Sequence, residues 1–416
     1  MKTVCLLLTL AAGALAQPGD PLYDLVLKGG RVIDARQDID GIRDVAIAQG
    51  KIAAIAENIP AARARKVVDV KSLIVSPGLV DMHVHVFAAT MDREYTGESG
   101  ARPDGFTFRT GVTTVVDAGS SGWRNFEQFK RLVVDRVQTR VLAMLNIVGS
   151  GMGGRKDVEQ NVSDMDAEKT AEMAKRYKDV VVGVKIAHYA GPEWVAVERA
   201  VSAGKMAGIP VMVDFAAFRP ERPFQDLVLK KLRPGDIYTH TYLTAVPMLD
   251  AGGKVLPYLF EAKKRGVIFD VGHGAGSFSF RQAIPAVRQG FIPDSISSDY
   301  HVESMNAGMK DLLNVMSKLL NMGMSVADVI ASATRNQARE IGREELGTLA
   351  VGGAADVAVL RLVSGEFGFV DSARRRMAGT QKLVCELTLK NGRTMYDLNG
   401  IMSEDWDKAP APRQTR

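Results

Sequence analysis

The hydrophobic rhythm of the chain changes twice. Residues 22–76 carry short alternating runs, YDLVLKGGRVID, DVAIAQGKIAAIA, KVVDV and LIVSPG, separated by Gly and Asp turns. Such runs predict a small antiparallel sheet. The far end of the chain behaves alike, with ADVAVLRL (355–362) and LVCELTLKNGRTMYDLNG (383–400), and LTLKNGRTMYD echoes LVLKGGRVID. The two ends are expected to pair into one small β-sandwich, from residues 22–77 and 345–405. In between, near-continuous apolar runs alternate with amphipathic stretches such as DAEKTAEMAKRYKD and EWVAVERAVSAGKMAG. The runs are VDMHVHV (80–86), TTVVDAG (113–119), VLAMLNI (141–147), VVGVKI (181–186), PVMVDFA (210–216), IYTHTYL (237–243), VIFDVGHG (267–274) and SISSD (295–299). Strands buried on both faces read as unbroken apolar runs. Eight βα units over residues 78–344 predict an α/β fold, a (β/α)8 TIM-like barrel carrying the small β-sandwich domain. The stretches MKDLLNVMSKLLNMG and SVADVIASATRNQAREIG are expected to be its closing helices.

In such a barrel the chemistry collects where the strands end. His83 and His85 end the first run, Lys185 the fourth, His240 the sixth, His273 the seventh and Asp299 the eighth. Residues i and i+2 of a strand point the same way, so two imidazoles one residue apart can hold one cation. A single histidine in an apolar run is more often a satisfied core residue. Four of the chain's six histidines at barrel-strand ends are not explained that way. A lysine buried beside them would lose its charge, and a neutral amine can take up carbon dioxide to form a carbamate, an anionic ligand with two donor oxygens.

Composition adds little to this. A hydrophobic content of 46% with 24% charged residues is ordinary for a globular chain, and the net charge of +5 is spread among interleaved acids and bases. The one basic cluster, at residues 372–382, reads as a solvated face, so no nucleic acid is expected as a partner. The N-terminus says more. Lys2, the apolar stretch 4–16 and the small-x-small end Ala14-Leu15-Ala16 predict a signal peptide at residues 1–16. Too short to anchor in a bilayer, it implies a periplasmic or extracellular protein with no membrane association after cleavage. Cleavage would leave Cys385 as the sole cysteine, so no internal disulfide forms.

The set PGLVDMHVH, Lys185, His240, His273 and Asp299, together with SATRNQAREIGREELGTLAVGGAADVAVL (331–360), resembles the amidohydrolase superfamily in its two-metal, carboxylated-lysine branch. The resemblance implies two divalent metal ions, zinc by default for His-rich sites with carboxylate oxygens. His83, His85 and Asp299 would hold the more buried ion and His240 and His273 the more exposed one. N6-carboxylated Lys185 and a hydroxide would bridge them. Metal lowers the pKa of its water from about 15.7 to about 7. Asp299 would shuttle the proton from that hydroxide to the leaving group. The implied reaction is hydrolysis of an amide or ester in a small-molecule substrate.

VVDAGSSG, LNIVGSGM, VGHGAGSFSF and SSDYHVESMNAG look most like the amidohydrolase/deacetylase-type metallohydrolases, some of which act on acetylated hydroxy or amino acids. The expected activity is removal of acyl groups from such compounds. Alternatives are a cyclic-amide hydrolase of hydantoinase or dihydroorotase type, a D-aminoacylase-like enzyme, or a binding protein that has lost catalysis. Phe87 stands where dihydroorotases typically carry a substrate-holding Arg, and Lys185 speaks against adenosine-type deaminases. After Lys185 the chain reads IAHYAGPEW, where a small, polar, Ser-rich segment is the family's habit. Asn146, His188, Tyr189, Tyr300 and His301 are expected substrate contacts, with structural roles as the competing reading. Asp117 is expected to be structural, and the glycines of GHGAGS to serve close backbone packing. Small-residue helices such as AVSAGKMAG suit either barrel packing or a homo-oligomer.

Overall fold

The computed structural model describes residues 22–87, 100–152, 158–215 and 218–408. Among these, strands β1 (Leu25–Asp34), β2 (Ile39–Ala48), β3 (Lys51–Ala56), β4 (Val67–Asp69) and β5 (Ile74–Pro77) come first. The central series is β6 (Leu79–Val84), β7 (Val112–Gly122), β8 (Arg140–Asn146), β9 (Val181–Ile186), β10 (Val211–Val213), β11 (Ile237–Tyr238) and β12 (Ile268–Phe269). β13 (Val357–Val370), β14 (Arg376–Lys390) and β15 (Arg393–Asp397) end the chain. The predicted signal peptide lies outside the described residues. No helix among those described is long and apolar enough to cross a membrane.

Both chain ends build one eight-stranded sheet, in the order β15-β14-β13-β5-β1-β2-β3 with β4 beside β1. β5 joins the two halves by pairing parallel to β1 and antiparallel to β13. The ends therefore meet edge to edge in a single hydrogen-bonded sheet, where a sandwich of two sheets was expected. Apolar residues from both arms, among them Leu27, Val45, Val75, Val357 and Leu387, pack into a common cluster.

The second sheet is parallel throughout, in the order β6 to β12. Its two edges are linked by residues 295–300, the eighth apolar run (295–299) with Tyr300. Asp270 bridges Ser295 and Val84 bridges Tyr300. His85 N donates to Tyr300 O at 2.9 Å and Val271 N to Ser295 O at 3.1 Å. The eighth run is no regular strand, yet it completes the ring. Val80, Met82, Val116, Leu142, Met144, Val182, Met212 and Ile237 come from six consecutive strands and form one cluster with Ala338, Ile341 and Leu346. Side chains from so many strands can meet only inside the ring, so this is its packed interior.

Helices cover the outside. Val195–Ala207 ends at Gly208 (φ 72°), and Leu312–Met322 ends at Gly323 (φ 118°), each supplying the left-handed residue that closes a helix. Asp311 caps the latter by accepting from Asn314 N at 2.7 Å. The expected helix over SVADVIASATRNQAREIG is two, Val326–Ser332 and Arg335–Glu340. The break turns Gln337 under the ring, where its amide accepts from Met82 N (2.6 Å) and donates to Ile296 O (2.7 Å). Sequence periodicity carries no sign of that buried bond.

Candidate metal centre

The polar residues gather where the parallel strands end. His83 lies in β6 and His85 just beyond it. Lys185 is near the end of β9, Asp214 follows β10, His240 follows β11, and Asp299 lies in the closing segment. All are buried. His83, His85 and Asp299 bring one ligand atom each within 4.8 Å of one another. Asp299 Oδ1 is 3.2 Å from His85 Nε2 and 3.5 Å from His83 Nε2, and accepts no hydrogen bond among the described residues. A buried carboxylate oxygen left without a donor is costly. Facing two imidazole nitrogens, it is the arrangement that a divalent cation satisfies, and the donor set fits such an ion.

The imidazoles are held by their other nitrogen. Thr239 Oγ1 donates its one proton to Asp270 Oδ2 at 2.7 Å and so must accept from His83 Nδ1 at 2.9 Å. His240 Nδ1 donates to Gly272 O at 2.5 Å. His85 Nδ1 is 3.1 Å from Ser120 Oγ, and His188 Nδ1 is 2.7 Å from Glu159 Oε2. Fixing Nδ1 in this way leaves Nε2 of His83 and His85 as the atom facing Asp299. Asp270 in turn receives Ser295 and Ser297 hydroxyls at 3.1 and 2.6 Å. Asp81, beneath His83, accepts from the Ser298 hydroxyl and, at 3.0 Å, from Ser298 N. Burial pushes its carboxyl up to about 7.

Lys185 Nζ lies 3.1 Å from His83 Nε2 and 3.6 Å from Met212 Sδ. Burial lowers its pKa against the pull of Asp214, Asp299, Asp270 and Glu159. Burial alone would raise Asp299, but His83 and His301 hold it well below the usual carboxylate range, so it is ionised.

The backbone around the cluster is strained. His188, His240 and Asp299 adopt positive φ of 56°, 61° and 51°, a conformation that non-glycine residues hold only where the surroundings impose it. Gly272 and Gly274, also at positive φ, run so close to the cluster that a Cβ would meet Thr239 Oγ1 at 2.2 Å and Asp299 Oδ2 at 2.3 Å. Close packing at the mouth is thus the role of the GHGAGS glycines.

The structure does not bring every expected residue to the cluster. His273 is paired elsewhere. Its Nδ1 donates to Gly274 O at 2.9 Å, its Nε2 accepts from Lys318 Nζ at 2.7 Å, and its ring stacks on Phe278 at 4.4 Å. Hence the expected His240–His273 pair is not assembled, because the buried Lys318 on Leu312–Met322 takes the nitrogen a cation would need. Asn146 donates to Gly119 O (3.2 Å) and accepts from Val148 N (3.0 Å), fixing the turn after β8. The Tyr189 hydroxyl donates to Glu193 at 2.9 Å. Tyr300 stacks on Phe106 at 3.8 Å. His301 Nδ1 donates to Asp299 O at 2.8 Å, and its ring sits 6.0 Å from that of His85. Asp117 accepts from Val86 N and Ser120 N at 2.8 Å each, the structural role expected of it.

His188, in contrast, enters the cluster: its Nε2 is 3.2 Å from Asp214 Oδ2, which is also 3.3 Å from His240 Nε2. Asp214 was overlooked although it ends the fifth run as Lys185 ends the fourth. Glu159, Thr239 and Lys318 had no spacing that could have marked them.

Comparison with known proteins shows the family. Residues 108–396 match the model of the amidohydrolase family. The chain is 33% identical over 336 residues to "Deacetylase Atu3266" of Agrobacterium fabrum, covering 78% of this chain and 79% of that protein. Among solved structures it is similar to an adenine deaminase (TM-score 0.80, 28% identity, 90% of this chain and all of that one). It is also similar to a dihydroorotase (TM-score 0.77, 28% identity, 90% and 99%).

Proposed function

Because the chain belongs to the amidohydrolase family, and is thus a hydrolytic metalloenzyme, we propose that it removes acyl groups from small N-acyl amino acids or O-acyl hydroxy acids. The observation that carries the reading is the convergence of His83 Nε2, His85 Nε2 and the undonated Asp299 Oδ1 beside Lys185. His83, His85 and Asp299 would hold the inner cation, zinc by default, with N6-carboxylated Lys185 as a shared ligand. Bound there, divalent cations supply a Lewis acid for the acyl carbonyl and a water acidified from about 15.7 towards 7.

The chain's own residues do the rest. Asp299, kept ionised by His83 and His301, takes the proton released as the nucleophile adds to the carbonyl. It returns that proton to the leaving nitrogen or oxygen, so that the acid and the free amine or alcohol depart. Thr239, Ser120 and Gly272 O keep the imidazoles aimed. Phe87, buried against Phe129 at 5.0 Å, presents no guanidinium for a ring carboxylate. This favours open-chain acyl substrates, as does the likeness to the Agrobacterium deacetylase. Export directed by residues 1–16 belongs to the same proposal.

A second reading, hydrolysis of a cyclic amide, is favoured by the likeness to the solved dihydroorotase. One panel separates them. The zinc-loaded protein is offered N-acetyl amino acids and O-acetyl hydroxy acids of both hands, beside hydantoin, dihydroorotate and adenine. Turnover of the open-chain compounds is expected. Turnover of the rings alone would refute the deacylase reading.

A further inference from the structure

We propose that the tip of the hairpin between β13 and β14 is a collecting surface for anionic substrates, drawing carboxylates toward the mouth of the ring. The inference rests on the reading of the enzyme as a hydrolase of small acyl acids. Only the inner halves of the two strands pair with the rest of the eight-stranded sheet. β13 meets β5 through Val357–Leu360, and β14 meets β15 through Leu387–Lys390. From Leu362 outward, as far as the Val370–Arg376 pair, the two strands pair only with each other. The helix Leu312–Met322 serves them in place of a third strand. Asn321 accepts from Thr380 N at 2.8 Å and donates to Gln381 O at 2.7 Å, and Ser317 Oγ accepts from Leu383 N at 3.0 Å.

This extension carries the tip to the face of the ring where the strands end. Ser372 N donates to Phe278 O at 2.9 Å, and Ser372 Oγ accepts from Phe278 N at 3.0 Å. Phe278 is the ring that stacks on His273, and the next residue, Gly274, runs against Asp299. A short series of contacts therefore joins the tip to the cluster. The tip is also pinned from within. Asp371, 1% exposed, accepts from Phe280 N, Ala373 N and Arg375 N at 3.1, 2.9 and 2.8 Å. Arg374 takes the left-handed conformation, at φ 60°, which a non-glycine residue holds only where its surroundings impose it.

Asp371 thus spends its charge on N–H groups, while the side chains of Arg374, Arg375 and Arg376 stay exposed. The backbone at Gly308 packs directly on Val370 O and Asp371 O and brings the exposed Lys310 beside them. Exposed Arg109 and Lys382 lie close enough to act on Asp311, the buried cap of the helix Leu312–Met322. Among the described residues, none of these six cations forms a salt bridge, whereas Lys130, Lys231, Lys263 and Arg343 elsewhere on the surface do. The basic stretch that reads as a solvated face is therefore an uncompensated patch beside the mouth. Its field reaches about 8 Å at physiological ionic strength and about 30 Å at 0.01 M. Fields of this kind speed the arrival of oppositely charged ligands by about 10- to 1,000-fold, and a monoanion falls at or below the lower end. With Phe87 offering no cation inside, the substrate's charge is read on approach.

The test compares kcat/KM for the acyl acid turned over best in the panel with that for its uncharged carboxamide, at about 0.01 M and about 0.5 M salt. It is run on the wild type and on the triple variant Lys310→Gln, Arg374→Gln, Arg375→Gln. In the wild type, kcat/KM for the acid should fall about fivefold at high salt with kcat unchanged, and the carboxamide should hardly respond. The triple variant should start about fivefold lower on the acid and lose most of its salt dependence. Wild-type salt dependence in the triple variant, or equal dependence for acid and carboxamide, would overturn the proposal. If no compound of the panel is turned over, the deacylase reading fails by itself. The tip is then judged by the binding of pyrenetetrasulfonate at low salt, followed by fluorescence anisotropy. Weaker binding in the triple variant would uphold the collecting surface, and equal binding would overturn it.

Discussion

Thr239→Val isolates the orientation of His83, a proposed metal ligand, from the ligand itself. The hydroxyl receives His83 Nδ1–H at 2.9 Å and donates to Asp270 Oδ2 at 2.7 Å. Valine keeps the shape and removes both bonds. Asp270 retains the hydroxyls of Ser295 and Ser297, so the larger loss falls on His83, whose N–H is left buried without an acceptor. An orphaned buried donor costs about 1–3 kcal/mol. The ring can escape part of that by moving its proton to Nε2, which faces Asp299, and a protonated Nε2 cannot coordinate. Losing a partner that orients a ligand typically weakens metal binding about 10- to 100-fold, or roughly 1.4–2.7 kcal/mol at 1.36 per decade. Zinc affinity would be measured by competition with a chromophoric chelator, and the stability of the metal-free protein by urea unfolding. Thr239→Ser should restore both values. If Thr239→Val bound zinc as tightly as the wild type and unfolded at the same urea concentration, the argument that this hydroxyl fixes the His83 tautomer would be wrong.

Other consequences are equally direct. Asp299→Asn should lower kcat by about 10²- to 10⁴-fold, the usual worth of a positioned acid–base group; a steady-state rate within threefold of wild type would remove Asp299 from proton transfer. Zinc-free protein reconstituted with bicarbonate should gain the mass of one CO2 by native mass spectrometry, and Lys185→Arg should not; equal masses would mean that Lys185 acts as a free amine. Burial pushes the Glu340 carboxyl up to about 8, from an ordinary 4.5. The folded state then holds a proton that the unfolded chain has released between pH 4.5 and 8, so stability falls as pH rises through that window. Glu340→Gln should abolish the decline, with a gain of a few kcal/mol at pH 9 relative to pH 6. Parallel urea midpoints for the two proteins would count against it.

The parallel ring was legible because buried parallel strands leave unbroken apolar runs, and its site because strand ends in such a ring converge. Those two regularities led directly to His83, His85, Lys185, His240 and Asp299, and to pairing between the chain's ends. Neither could reveal which nitrogen of each ring is free. His273 carries the same local signal as His240, one residue before or after a turn at a strand end, yet Lys318 from a helix 45 residues further on captures it. His188 is an exposed loop residue, and only the distant Glu159 and Asp214 set where its ring lies. Asp214 was visible by the rule that found Lys185, and only its contact with two imidazoles gives it meaning. The sequence alone determined the order of strands and the supply of candidate ligands, since both follow from period and position along the chain. Only the tertiary structure decided which donors face one another, because that depends on hydrogen bonds between residues far apart in sequence, to which no local pattern is sensitive.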